Sequence, residues 1–229
     1  MSATHDGRRR AILAIDTATT RVVVATGAPG GQVDGITTWA AGYRHGETLL
    51  ATIGRFLGEQ NIRRSRLTGI VVGTGPGAFT GLRVGLATAK GLAHGLGLPI
   101  VGVSTAEALL AGLPADDGDC VLILPAGPSD RILVRRGGRP ELLPGGREAQ
   151  LAAGERLVAV DLDGRAADEA LERGERARAG LGAALIRIGA ERLRSGAVDD
   201  LAGLVPEYVS LPRGVTGQTG EVAWSRDPR

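Results

Sequence analysis

The sequence predicts an α/β fold with some parallel strand pairing, and three observations carry that prediction. Strand-like and helix-like segments alternate over the first hundred residues, which argues for a sheet with crossover connections. A glycine-rich stretch, GTGPGAFTG at residues 73–81, sits directly between a strand-like run and a helix-like run. The core is aliphatic: hydrophobic residues make up 43% and aromatics 3%, with 37 glycines, so backbones can approach closely.

Residues 11–26, AILAIDTATTRVVVAT, read as two β-rich runs around a polar turn from Asp16 to Thr20, a hairpin signal. After a loop containing Pro29, Gly30 and Gly31, the stretch HGETLLATIGRFLGEQNI sets Leu49, Leu50, Ile53, Phe56 and Leu57 at helical spacing. LTGIVVG (67–73) is a buried strand bounded by glycine, LRVGLATAKGLAHGLG reads as a helix, and LPIVGVST as a strand. In the second half LPADDGD (113–119) is the best linker, DCVLILP and DRILVRRGG form a hairpin or meander, and ERLVAVDLDG is one more strand. ALERGERARAGLGAALIRIGAERLRSG has helical periodicity, with a break expected near Gly180. No internal repeat of useful length is visible. The organisation expected is a flexible start (1–10), a first lobe (11–106), a second lobe (107–213) and a loose tail (214–229).

Net charge is +2, far from the footprint of a protein that grips nucleic acid alone. The balance is uneven: residues 1–106 hold 11 basic and 5 acidic side chains, the remainder 16 and 20. A basic first half is able to help a partner dock RNA, although Lys90 is the only lysine and an arginine bias of this kind also follows from a GC-rich genome. Cys120 is alone, so no disulfide framework is expected within the chain. Apolar runs fall well short of the ~20 residues of a membrane span, and the first residues run into a strand without a signal-peptide core. A cytoplasmic location and no membrane partner are expected.

The glycine loop fails two phosphate-binding codes. A P-loop needs Gly-Lys-Ser/Thr after its glycines, and the first lysine downstream is Lys90. Gly73, Gly75 and Ala78 satisfy G-x-G-x-x-A, but the acidic ribose partner about 20 residues on is missing, because no Asp or Glu occurs between Glu59 and Glu107. Two readings stay open. In one, Thr74, Thr80 and the Gly77 N–H hold an anion at a strand-to-helix turn. In the other, Gly75-Pro76-Gly77 is a rigid turn with Phe79 as an apolar plug and Thr80 as N-cap. In the following helix Gly81, Gly85 and Ala89 recur every fourth residue beside a ridge of Leu82, Leu86 and Leu92. Such a flat face admits another helix, either the chain's own or a partner's.

ILAIDTAT, HGETLL and VVGTGPGAFTGLRVGLATAKGLAHGLGLPIVGVST together resemble the TsaB (YeaZ) family, the dimerisation subunit of the bacterial tRNA threonylcarbamoyladenosine machinery. The resemblance covers residues 11–110. Beyond it the family's Asp-Ala-Arg block is replaced by LPAGPSDRILV, and PEYVSLP follows the closing Pro-x-Tyr-Leu-Arg only in part. The resemblance implies an actin/hexokinase-like (ASKHA, ribonuclease H-like) two-lobed fold of mixed sheets flanked by helices. Asp16, Thr17, Gly75, Gly77 and Thr80 then mark a vestigial nucleotide or phosphate region. The catalytic paralogue of that machinery, TsaD, holds a metal with a His-x-x-x-His pair, whose places here are Thr105 and Leu109; His5, His45 and His94 are scattered. The resemblance thus implies no catalytic residue, metal site or cofactor in this chain, with ATP and metal on the partner.

It also implies an interface with a TsaD-like subunit through residues 45–59 and 81–95, carried by Leu49, Leu50, Ile53, Leu57, Gly81, Leu82, Gly85, Leu86, Ala89 and Leu92. Two copies pair through the same face when the partner is absent. A TsaE-like ATPase completes the complex, and tRNA is met only through it. The rival expectations are an ATP-dependent ASKHA phosphotransferase using Asp16 for Mg²⁺, and a peptidase.

Overall fold

The computed structural model describes residues 10–40, 45–145 and 147–209. The expected tail and residues 1–9 of the expected flexible start lie outside the described residues. Two sheets organise the chain. The first contains β1 (Ala11–Asp16), β2 (Arg21–Gly27), β3 (Val33–Ala40), β4 (Leu67–Gly73) and β5 (Ile100–Val103), in the order β3-β2-β1-β4-β5. The second contains β6 (Cys120–Pro125), β7 (Arg131–Arg135), β8 (Glu141–Leu143) and β9 (Arg156–Ala159), in the order β8-β7-β6-β9.

β1 and β2 form the expected antiparallel hairpin, with Asp16 opposite Val23, while β1 and β5 pair with β4 in parallel. All six residues of β1 are buried because the sheet is covered on both faces, where strands read as continuous apolar runs. Leu13 and Ile15 face α1 (His45–Glu59) and α2 (Phe79–Leu96). Ile12 and Ala14 face the opposite core, shared with α3 (Thr105–Ala111) and α4 (Asp168–Arg194). α1 is held by Leu49, Ile53, Phe56 and Leu57, all buried. Gly97 ends α2 at φ 63°, donating its N–H to the Ala93 and His94 carbonyls, the left-handed stop that glycine accepts without steric cost.

Four features differ from the sequence reading. Residues 33–40 form the edge strand β3, hidden by its mixed, half-exposed composition. α3 is a seven-residue helix, capped by the Ser104 hydroxyl accepting from the Glu107 N–H. The three-residue β8 is too short to signal itself. α4 runs unbroken for 27 residues despite Gly180, because a Cβ there would overlap the Gly112 carbonyl. That glycine is a close-approach residue between α3 and α4, not a breaker. α4 also bridges the halves of the sequence: Gly174 abuts β9 and Gly189 abuts Val71 of the first sheet.

Candidate functional site

Between the sheets lies a cleft of about 640 Å³. One wall is the β1–β2 turn (Ala18, Thr20) and the glycine loop with the start of α2 (Pro76, Gly77, Ala78, Phe79). The other is the end of β6, the β6–β7 turn, Asp161 and Arg165, and Glu207 and Tyr208 stand at the cleft too. At its rim the Arg83 guanidinium lies 3.8 Å from the Phe79 ring centroid, and Tyr208 packs 5.1 Å from the same ring. Phe79 is therefore half-buried at the cleft and not a plug in the core.

Asp16 ends β1 with its side chain fully buried. Its Oδ1 accepts the Ala18 N–H at 2.9 Å, and its Oδ2 accepts the Thr105 hydroxyl at 2.6 Å. Burial without a cation beside it pushes the carboxyl up to about 6, the two hydrogen bonds and the Asp161 charge being smaller influences. Asp16 is not among the residues that line the cleft. It ties β1 to the start of α3, and it fits only because residue 73 is glycine: a Cβ there would overlap the carboxylate.

The glycine loop is bonded to its own chain at nearly every step. Thr74 N–H donates to the Val103 carbonyl at 2.8 Å, and the Thr74 carbonyl accepts from Glu207 N–H at 2.7 Å. Gly75 N–H donates to Thr105 Oγ1 at 3.1 Å, and its carbonyl accepts from Thr105 N–H at 2.7 Å. Gly75 has φ +104°, a backbone that other residues rarely adopt. Ala78 N–H donates to the Ala18 carbonyl at 2.7 Å, and a Cβ on Gly77 would overlap that same carbonyl. α2 consequently begins at Phe79 with Ala78 as a cap that offers no side-chain bond. Thr80 is an exposed first-turn residue, not the N-cap expected from the sequence.

The flat face of α2 is filled from inside. Thr17 Oγ1 donates to the Gly81 carbonyl at 2.7 Å, and a Cβ on Gly81 or Gly85 would overlap Thr17. Ala89, Leu82 and Leu86 are buried in the chain's own core. Of the ten expected interface positions, Leu49, Ile53, Leu57, Gly81, Leu82, Gly85, Leu86 and Ala89 are covered internally, because the small residues admit the β1–β2 turn. Leu50 is 56% exposed and Leu92 half-buried. The outward surface of this helix pair includes Leu50, Ala51, Ala87 and Gly91, all exposed.

Asp161, which sequence reasoning did not single out, joins the two sheets. Its Oδ2 accepts Thr20 N–H at 2.8 Å, and its Oδ1 accepts the Thr20 hydroxyl at 2.5 Å. Arg178 of α4 pairs with it at 2.9 Å, the two side chains being 9% and 7% exposed. Asp161 holds φ 58°. Arg165 donates to the carbonyls of Gly127, Pro128 and Asp161, pinning the opposite wall. Glu207, half-buried beside Ser104, has its carboxyl raised by burial. The sequence signal for Asp161 was only a D-x-D-G after a strand, indistinguishable from a turn.

A metal held at the places of the His-x-x-x-His pair does not fit these residues. Leu109 is fully buried in the apolar core and has no donor atom. The Thr105 hydroxyl is engaged by Asp16 and Gly75.

Comparison with known proteins adds a family. Residues 6–208 match the family model described as TsaD: tRNA N6-adenosine threonylcarbamoyltransferase. An uncharacterised protein of Mycobacterium leprae is 39% identical over 103 residues, which is 43% of this chain and 28% of that protein. The tRNA threonylcarbamoyladenosine biosynthesis protein TsaB of Escherichia coli is 35% identical over 106 residues, 44% of this chain and 43% of that protein. The matched part thus spans less than half the length of these curated relatives. Among solved structures, YeaZ from Pseudomonas aeruginosa superposes with TM-score 0.67 at 21% identity, covering 87% of this chain and 100% of that one. Its fold is shared, which agrees with the ASKHA-type architecture of two mixed sheets flanked by helices.

Proposed function

Because the chain belongs to the TsaD family of tRNA N6-adenosine threonylcarbamoyltransferase, we propose that it serves the formation of threonylcarbamoyladenosine in tRNA, as a non-catalytic subunit. The observation that supports this reading is the spent state of the cleft wall. At the cleft wall Thr20 is bonded to Asp161 and Ala78 to Ala18, and behind it Gly75 and Asp16 are bonded to Thr105, so these groups hold the chain together. The partner is a TsaD-like subunit, bound through the outward surface of α1 and α2 around Leu50, Ala51, Ala87 and Gly91. ATP and metal act on that partner, with a TsaE-like ATPase in the complex.

Co-expression with the TsaD-like protein of the same organism tests this. The pair should co-elute, and tRNA modification should vanish when either chain is omitted. Leu50→Arg with Ala87→Arg should abolish co-elution while leaving the thermal melt unchanged; co-elution that survives both would place the interface elsewhere. The large cleft favours a second reading, an ATP-dependent phosphotransferase. Micromolar Mg-ATP binding by the isolated chain would support that reading instead.

A further inference from the structure

The end of the first sheet opposite the cleft gathers positive charge. Arg10 immediately precedes Ala11, which is paired with Leu67, and Arg66 immediately precedes Leu67. The two arginines therefore stand side by side where β1 and β4 begin. Arg63 and Arg64 enter the same place through the 3-10 turn Arg64–Arg66. Arg10, Arg63 and Arg64 are exposed and Arg66 half-buried. Among the described residues no carboxylate pairs with any of these four. The acid nearest in sequence to Arg63, Arg64 and Arg66, Glu59, holds Arg55 at 3.6 Å, and Asp6, four residues before Arg10, lies outside the described residues. Elsewhere arginines are committed: Arg135 to Glu155, Arg176 to Asp117, Arg178 to Asp161 and Arg192 to Asp199.

α1 and α2 both end at this side of the sheet, since each runs back to the start of a parallel strand, and α4 ends there too, with Leu193 against Gly69 of β4. A helix C-terminus carries roughly −0.5 charge, so three of them leave about two and a half of the four positive charges unbalanced. The cleft at the other end is mixed in sign: Asp161 and Glu207 share its lining with Arg165, and Asp161 is paired with Arg178.

We propose that this end of the molecule, Arg10, Arg63, Arg64 and Arg66, is a contact surface for the phosphate backbone of RNA. The chain then holds nucleic acid itself and does not meet it only through a partner. The inference goes beyond the subunit reading and rests on it only for the choice of RNA as the polyanion. Planar guanidinium forks match phosphate oxygens, and backbone contacts of this kind position an RNA without reading its sequence.

Binding of fluorescently labelled bulk tRNA to the full chain, followed by anisotropy between about 50 and 200 mM salt, a range over which ionic screening strengthens, tests the proposal. The parent should bind at low salt with log affinity falling linearly in log salt concentration. Arg63→Gln with Arg64→Gln should weaken binding to all tRNAs alike and flatten that slope by about 2, roughly one unit for each phosphate that is no longer neutralised. The charge-matched pair Arg139→Gln with Arg147→Gln should leave the slope unchanged. No binding by the parent at low salt, or equal weakening by both double variants, overturns the proposal. So does retained tRNA binding by Arg63→Gln with Arg64→Gln when the same variant no longer co-elutes with the TsaD-like subunit, which assigns the surface to a protein partner. If the parent chain fails to co-elute with that subunit, the subunit reading fails while the tRNA slopes still decide this one.

Discussion

The two sheets follow one plan and finish it differently. In the first, the hairpin β1–β2 is flanked by β3 on one side and the parallel strand β4 on the other; in the second, β6–β7 is flanked by β8 and the parallel strand β9. The first sheet has a 15-residue helix, α1, between its third strand and its parallel strand. In the second, the corresponding stretch after β8 forms no helix or strand among its described residues before β9. Arg135 of β7 holds that stretch, donating to Glu155 and to the Gln150 carbonyl. A packed helix makes this connection in the first sheet and a pinned loop makes it in the second, so the same strand arrangement forms with either. The function proposed for α1, to meet a partner, accordingly has no counterpart in the second sheet.

The largest expected effect lies where the two sheets meet. Asp161→Ala leaves the buried Arg178 with the half-exposed Glu175, at 3.0 Å, as its remaining carboxylate partner, so the loss should fall toward the lower end of the about 3–5 kcal/mol that breaking a buried pair costs. Urea unfolding should show that loss, and Arg178→Met combined with Asp161→Ala should recover part of it by removing the stranded charge. If Asp161→Ala alone were neutral, the bond from Thr20 to Asp161 would not be what couples the sheets.

Asp16 sharpens the comparison within the first sheet, because its carboxyl is buried with hydrogen bonds but no cation. Its pKa stands near 6 in the fold against an ordinary 3.8, so between those values the folded state retains a proton that the unfolded state has released. Its contribution to stability is full below about pH 4, falls as pH rises through about 6, and is flat above. Two pH units at about 1.4 kcal/mol each give about 3 kcal/mol. Asp16→Asn removes the titration. The stability of the variant relative to the parent should rise by about that amount between about pH 4 and pH 6.5, measured by denaturant melts across pH. A difference that stays constant with pH would show that the carboxyl does not titrate in this window.

Close approach distinguishes the helices that cover the first sheet. Gly85→Val drives a side chain into Thr17, and Gly180→Val drives one into the Gly112 backbone. Overpacking of this kind costs about 1–3 kcal/mol. Gly180→Val should stand at the upper end, since a backbone neighbour cannot rotate away as the Thr17 side chain can. Gly91→Ala, with open space around residue 91, should be stabilising or neutral in the isolated chain. Thermal melts of the three variants order them.

What was legible in the sequence followed from strong periodicity. β1, β2, β4 and β5 are continuous aliphatic runs and α1 has an unbroken apolar stripe, so their kinds and near-boundaries could be read directly. β3 was hidden because an edge strand is half exposed and its Thr, Trp and Gly do not alternate cleanly. The two-sheet site was less legible, for a physical reason: Asp161 and Thr20 are 141 residues apart, and no local pattern announces a bond that exists only after the sheets meet. The small-residue face of α2 was visible, but spacing alone does not tell whether the turn of the same chain or another molecule fills it. The buried side faces Thr17, and the proposed partner surface is the other side of the helix.

The smallest effect is expected at the pinned loop of the second sheet. Arg135 and Glu155 lie near the surface, where water screens an ion pair and leaves it little net value. Glu155 also accepts the Ala152 N–H at 2.7 Å, and both bonds lower its carboxyl pKa, that of Arg135 more. Arg135→Gln should therefore leave the global unfolding midpoint where it is, while hydrogen exchange at Ala152 quickens as the loop opens locally. In the parent the same local opening should become easier on acidification, because a lowered carboxyl pKa gives stability that is present at neutral pH and lost as pH falls through its folded value. If Arg135→Gln instead lowered the global midpoint as much as a core substitution does, the loop would be part of the cooperative fold. The connection in the second sheet would then be as firm as that in the first, and the contrast between helix and pinned loop would not hold.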